Sequence, residues 1–141
     1  MTHVRTTLRT DLREALADAI PEITWDRRWW MKGSDQQLPR GGIAINRSSD
    51  QRTDQDSVER AVQILVIVKI LGGDDIDDEL DALSVRAERA VLSHLETVSA
   101  LYSLRETALS VDDKGERPKG ELVMEFTAML WTEFGEPEEL E

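Results

Sequence analysis

The stretch from Ser57 to Leu71, SVERAVQILVIVKIL, alternates apolar and mixed positions over its whole length. Val58, Val62, Ile64, Val66, Val68 and Ile70 fall on one side, interrupted only by Arg60, and this period of two predicts a strand with a buried face. The other side carries Glu59, Ala61, Gln63 and Lys69 around Leu65 and Ile67, so it also calls for a partial cover. At about 3.3 Å per residue the run spans roughly 45 Å, against roughly 17 to 20 Å for a usual strand. Part of it is therefore expected to project beyond its own domain and meet another subunit. A central strand covered on both faces by its own helices is the alternative.

Upstream, Val4, Leu8, Leu12, Leu16, Ala19 and Ile20 form one apolar stripe at helical spacing, which predicts a helix over residues 4–20 ended by Pro21. Arg5, Arg9 and Arg13 lie four apart beside that stripe, either as a solvated face or as a basic track for an acidic partner. Residues 23–32, ITWDRRWWMK, hold three of the four tryptophans. Strand alternation puts Trp25, Arg27, Trp29 and Met31 on one side and Asp26, Arg28, Trp30 and Lys32 on the other. Trp beside Arg suits a binding hot spot as well as a core, so Trp29 and Trp30 are interface candidates. The loop GSDQQLPRGG leads to a short strand, Ile43–Asn46, and the wholly polar NRSSDQRTDQDS then predicts a flexible hairpin tip that could order on a partner.

After Leu71 the period changes to 3.6. Gly72 and Gly73 break the strand, and Asp74 or Asp75 can cap a helix with the stripe Ile76, Leu80, Leu83, Ala87, Ala90, Val91 and Leu95. A hairpin follows. Its first arm, Tyr102–Val111, changes apolar parity between Leu104 and Leu109, which predicts a bulge near Thr107 and Ala108. Its second arm, Glu121–Phe134, buries Leu122, Met124, Phe126, Ala128 and Leu130, with Val123, Met129 and Trp131 on the reverse beside Glu121, Glu125 and Glu133. The order αββαββ, with one further strand around the tryptophans, predicts an α+β fold: a mainly antiparallel sheet with two helices packed on one face. Residues 1–134 are read as one domain, and 135–141 as an acidic disordered tail.

Charge adds a second asymmetry. The net charge is −12, yet residues 1–60 hold ten Lys or Arg and ten Asp or Glu, whereas residues 61–141 hold seven and nineteen. Such a surface repels phosphate and disfavours ordinary nucleic-acid binding. It leaves plain solubility, a decoy that imitates nucleic acid, or a wall past which nucleic acid slides. There is no cysteine, the N-terminal stretch is too charged for a signal peptide, and no apolar run reaches membrane-spanning length, so a soluble cytoplasmic product is expected.

Candidate chemistry is sparse. His3 stands at the expected frayed end and His94 late in the second helix, too far apart in pattern for a metal-binding pair. Serines occur without a nucleophile elbow, and no phosphate-binding glycine motif is present. GGDD lacks the Lys and spacing of a phosphate loop, and its carboxylates suit a helix start instead. No enzyme activity, cofactor or metal is expected.

Taken in order, the helix VRTTLRTDLREAL, the strand LPRGGIAI, the polar tip leading to ERAVQILVIVKI, the acidic cap and helix GGDDIDDELDALSVRAERAVLSHL, and a closing G-x-L-x-x-x-F strand resemble the phage tail terminator proteins, the minor tail protein U group of long-tailed phages. The resemblance runs from Val4 to Trp131, with ITWDRRWWMK as a departure. It implies a structural virion protein that forms a homohexameric ring on the head-proximal end of the tail tube and ends its polymerisation. The ring's partners would be the tail tube protein and the head-side connector or stopper, with DNA only as passing cargo. Leu65, Ile67, Met129 and Trp131 then join the two tryptophans as interface candidates, and Asp74, Asp75, Asp77, Asp78, Glu121, Glu125 and Glu133 as candidates for an acidic lumen. A head-to-tail joining protein and a monomeric acidic DNA mimic are the alternatives.

Overall fold

Helix α1 (Val4–Ala19) precedes strands β1 (Thr24–Asp26), β2 (Arg40–Arg52) and β3 (Ser57–Leu71); helix α2 (Ile76–Val98) then leads to β4 (Tyr102–Asp112), β5 (Lys119–Glu133) and β6 (Glu136–Leu140). The computed structural model describes residues 2–27 and 38–141. The strands form one sheet in the order β1-β2-β3-β5-β4, antiparallel except for the β1–β2 pair, with β6 added to β5. Both helices pack on the same face, α1 toward β1 and β2 and α2 toward β4 and β5, which is the expected α+β arrangement.

The core lies where the two helical stripes meet the alternating strands. Leu12, Leu16, Leu80 and Leu95 from the helices close over Ile64, Val66, Leu122, Met124 and Phe126, all fully or almost fully removed from solvent. Each such side chain contributes about 1.5 to 3 kcal/mol through burial. Ala19, expected in the first stripe, is exposed because the helix ends there; Ile20 turns into the core instead. Gly72 allows α2 to fold back sharply on β3, since a Cβ there would stand 2.6 Å from the Ile76 side chain. Asp75 occupies the N-cap of α2 without a side-chain cap bond, so the expected acidic capping does not form. His3 is not frayed: it caps α1, its Nδ1 accepting the Arg5 N–H at 3.1 Å.

The long strand β3 has the predicted bounds but does not project. Its inward residues are buried from Val58 to Ile70, and it is paired on both sides, with β2 and with β5. Most of the expected flexible tip is strand as well. After a bulge at Asn46, β2 continues through Arg47–Arg52 on β3, and the connection shrinks to residues 53–56. Polar residues hold this extension through partners close by: Asp50 faces Arg60, the Arg52 guanidinium lies 3.8 Å from the centre of the Phe134 ring, and Asp54 Oδ1 accepts the N–H groups of Asp56 and Ser57 at 2.7 and 2.8 Å.

Two further expectations are corrected at the other end. The residues read as a disordered tail form β6: Gly135 turns at φ +83°, Leu140 pairs with Thr132, and the Glu141 N–H donates to the Trp131 carbonyl at 2.9 Å. β6 occupies the lane beside β5 that β4, which pairs only with residues 119–128, leaves open. The bulge in β4 sits at Arg105, two residues before its expected place.

Candidate interaction surface

Because side chains alternate along a strand, the residues opposite the core build a second face on the same sheet. On β3 these are Glu59, Ala61, Gln63, Leu65, Ile67 and Lys69; on β5, Glu121, Val123, Glu125, Thr127, Met129 and Trp131. The ladder sets Ile67 opposite Val123, Leu65 opposite Glu125, Ala61 opposite Met129 and Glu59 opposite Trp131. Ala44 of β2 and Ala108 of β4 extend the row of Leu65, Ile67 and Val123 sideways. Among the described residues no helix packs on this face, and its apolar side chains are half-buried by their strand neighbours alone. Leu65, Ile67, Met129 and Trp131 therefore stand where the alternation put them, in two apolar groups separated by the Gln63–Thr127 rung.

Polar pairs subdivide the surface. Lys69 Nζ lies 3.7 Å from Glu121, and the Gln63 amide donates to the Glu125 carboxylate. Beyond Met129 the face dips into a cavity of about 360 Å³ between the starts of β4 and the end of β5, lined by Ala61, Tyr102 and Met129 with Leu101 at its lip, 61% exposed. Ser99 fixes that lip: its Oγ lies 2.7 Å from the Met129 carbonyl and accepts the Leu101 N–H at 3.1 Å. No pattern in the sequence singled out Ser99, a buried polar residue between two elements.

The tryptophan segment divides. Trp25 belongs to the core side, its ring against Gly41, where a Cβ would stand 2.6 Å away, and its Nε1–H donating to the Ile20 carbonyl at 3.2 Å. Asp26 next to it accepts from Arg40 Nε at 2.6 Å and ties β1 to β2. Trp29 and Trp30 lie outside the described residues.

The seven candidate lumen acids do not share a surface. Asp74, Asp75, Asp77 and Asp78 are exposed at the start of α2, on the helical side, whereas Glu121 and Glu125 look out from the opposite face of the sheet. Glu133 is at the far end of β5 from Glu121, about 40 Å away along the strand. Among the described residues no three His, Cys, Asp or Glu side chains are grouped to hold a metal ion. No described helix is long and apolar enough to cross a membrane.

Basic groups collect on the other flank. Arg5 reaches Asp50 of β2 at 3.9 Å, and Arg13 lies in the field of Arg9 and of Arg27, which follows β1. Burial first, then the like charges of Arg27 and Arg9, lower the Arg13 pKa, and Arg13 Nε is buried with no hydrogen-bond partner among the described residues. Between the helices a second cavity, about 380 Å³, is lined by Val4, Leu8, Leu130 and Leu140, with His94 Nε2 buried 3.9 Å from Asp11. No protein-family model matches the chain, and no curated protein matches it in sequence.

Proposed function

We propose that this protein is a structural component of a phage tail: a ring, of six subunits by the resemblance, that seats on the head-proximal end of the tail tube, stops its growth and offers its other side to the head connector. The observation that carries the reading is the helix-free face of the sheet. Two-layer domains ordinarily leave such a face polar when it meets water, yet here Leu65, Ile67, Val123, Met129 and Trp131 stand on it around a few satisfied polar pairs. A face of this composition suits a protein partner, with aromatic and Met anchors inside a polar rim. Capping needs only shape and adhesion. Assembly takes place in the host cytoplasm, and in the virion the acidic excess of residues 61–141 gives passing DNA a surface on which phosphate is not retained.

The test is the length of tail tubes polymerised from purified tube protein. With this protein added at substoichiometric amounts, tubes should stop elongating and carry a ring at one end in electron micrographs. Unchanged tube lengths, with the protein recovered as a monomer bound to a basic DNA-binding protein, would favour the DNA-mimic reading instead.

A further inference from the structure

Among the described residues the sheet has two free edges on opposite flanks. β4 is one of them, from Tyr102 to Asp112, and nearly all of it is exposed, including Leu109 and Val111. β2 is the other: β1 covers it only from Arg40 to Gly42, so Ile43–Arg52 has no strand partner on that side among the described residues. Unblocked edges of this length are templates for pairing. The two are also opposed in direction. β2 is antiparallel to β3, β3 to β5 and β5 to β4, so β4 runs opposite to β2. A second copy turned about an axis parallel to the strands thus offers its β2 to β4 in antiparallel sense.

Charge distinguishes the flanks in the same way. On α1 the side turned to α2 is marked by Asp11, which faces His94, and at 100° per residue Arg9 and Arg13 fall on the side away from it, above the β1–β2 edge. On α2 the side turned to α1 is marked by Arg86, bonded to the Ala19 carbonyl at 2.8 Å and to Glu22 at 2.5 Å, and by His94. Asp81 and Glu88 fall on the opposite side, above the β4 edge. The helix above one free edge is thus basic on its outer side, and the helix above the other is acidic on its own.

We infer that the subunits join head to tail by pairing β4 of one copy with the Ile43–Arg52 stretch of β2 of the next, which lays the acidic flank of α2 against the basic flank of the neighbouring α1. This rests on the ring reading and assigns its internal contact. The contact is heterologous, so it closes into a ring where the rotation permits. It continues the sheet from copy to copy and leaves the helix-free face for the tube.

The absence of cysteine makes the test direct. Ser49→Cys on β2 and Ser110→Cys on β4 both place a thiol on the helix-free face. Copies carrying one or the other are mixed with tube protein and oxidised, with Arg47→Cys, Gln51→Cys and Ala108→Cys covering other registers. Edge pairing predicts covalent dimers only between a β2 variant and a β4 variant. In parallel, Arg9→Glu and Asp81→Arg should each weaken ring formation while leaving the circular-dichroism spectrum unchanged, and the two together in one chain should restore it. Rings that cross-link only β4 to β4 or β2 to β2, or that form equally well in both charge-reversed variants, would overturn the edge contact alone. A wild-type chain that stays monomeric beside the tube protein would remove the ring itself.

Discussion

Arg60 and Asp50 face each other on one rung of the β2–β3 ladder, with Arg60 Nη1 3.2 Å from Asp50 Oδ2. Arg60 is the single charged position in the inward row of β3, and its Nε also donates to the buried Thr132 hydroxyl at 3.1 Å. One guanidinium thereby joins β2, β3 and β5 at the end where the apolar core thins out.

Replacing Arg60 by Ala should therefore cost about 1 to 2 kcal/mol of stability in urea unfolding, because Thr132 loses its donor and Asp50 loses the nearer of its two arginines, keeping the Ser48 hydroxyl and the more distant Arg5. The figure is held below that of a fully buried pair because Asp50 is partly exposed. Arg60→Met, which keeps the volume, should lose less.

Leu65→Asp and Ile67→Asp should weaken self-association or tube binding by an order of magnitude or more, while costing only about 1 kcal/mol in monomer stability. Both residues sit on the face no described helix covers. Equilibrium unfolding of the monomer and sedimentation with tube protein separate the two effects. Loss of the folded spectrum with no separate binding defect would make them ordinary core.

Amide exchange should be slow at the alternate residues of Arg47–Arg52 whose N–H groups point to β3, and faster at those that point to the free edge and in the connection 53–56. Uniformly fast exchange from Arg47 to Ser57 in the isolated protein would contradict the extended hairpin.

That segment also marks where sequence and structure part. The alternation of β3, the stripe of α2 and the inward row of β5 are legible because one buried face imposes its period on the side chains. Arg47–Arg52 and Glu136–Leu140 carry no such period: their strands are held by backbone pairing and by single polar partners such as Asp50 and Thr132, which a hydrophobic pattern does not register. Leu65, Ile67, Met129 and Trp131 were readable as one side of a strand, but the separation of the seven acids over two faces depends on how the helices sit, and Ser99 on a turn between elements.

Stability should fall as pH drops below the ordinary imidazole value of 6.5. The His3 pKa is lowered, first by burial and then by Arg5 and Arg60, so the neutral ring is the form that folding favours. Its contribution is intact above 6.5 and is lost as pH falls through the depressed folded value. Protonation also removes the Nδ1 lone pair that caps α1. His3→Asn, a good N-cap that does not titrate in this range, should keep the helix while flattening this part of the pH profile, measured by thermal unfolding between pH 7 and 5.

The ring itself is tested most directly by the native mass of the purified protein, alone and with tail tubes present, read by native mass spectrometry. The proposal predicts a closed homo-oligomer, six subunits by the resemblance, that forms or becomes dominant when tube ends are available, with that response to tubes lost in Leu65→Asp. A species that remains a folded monomer at every concentration, with and without tubes, would contradict it.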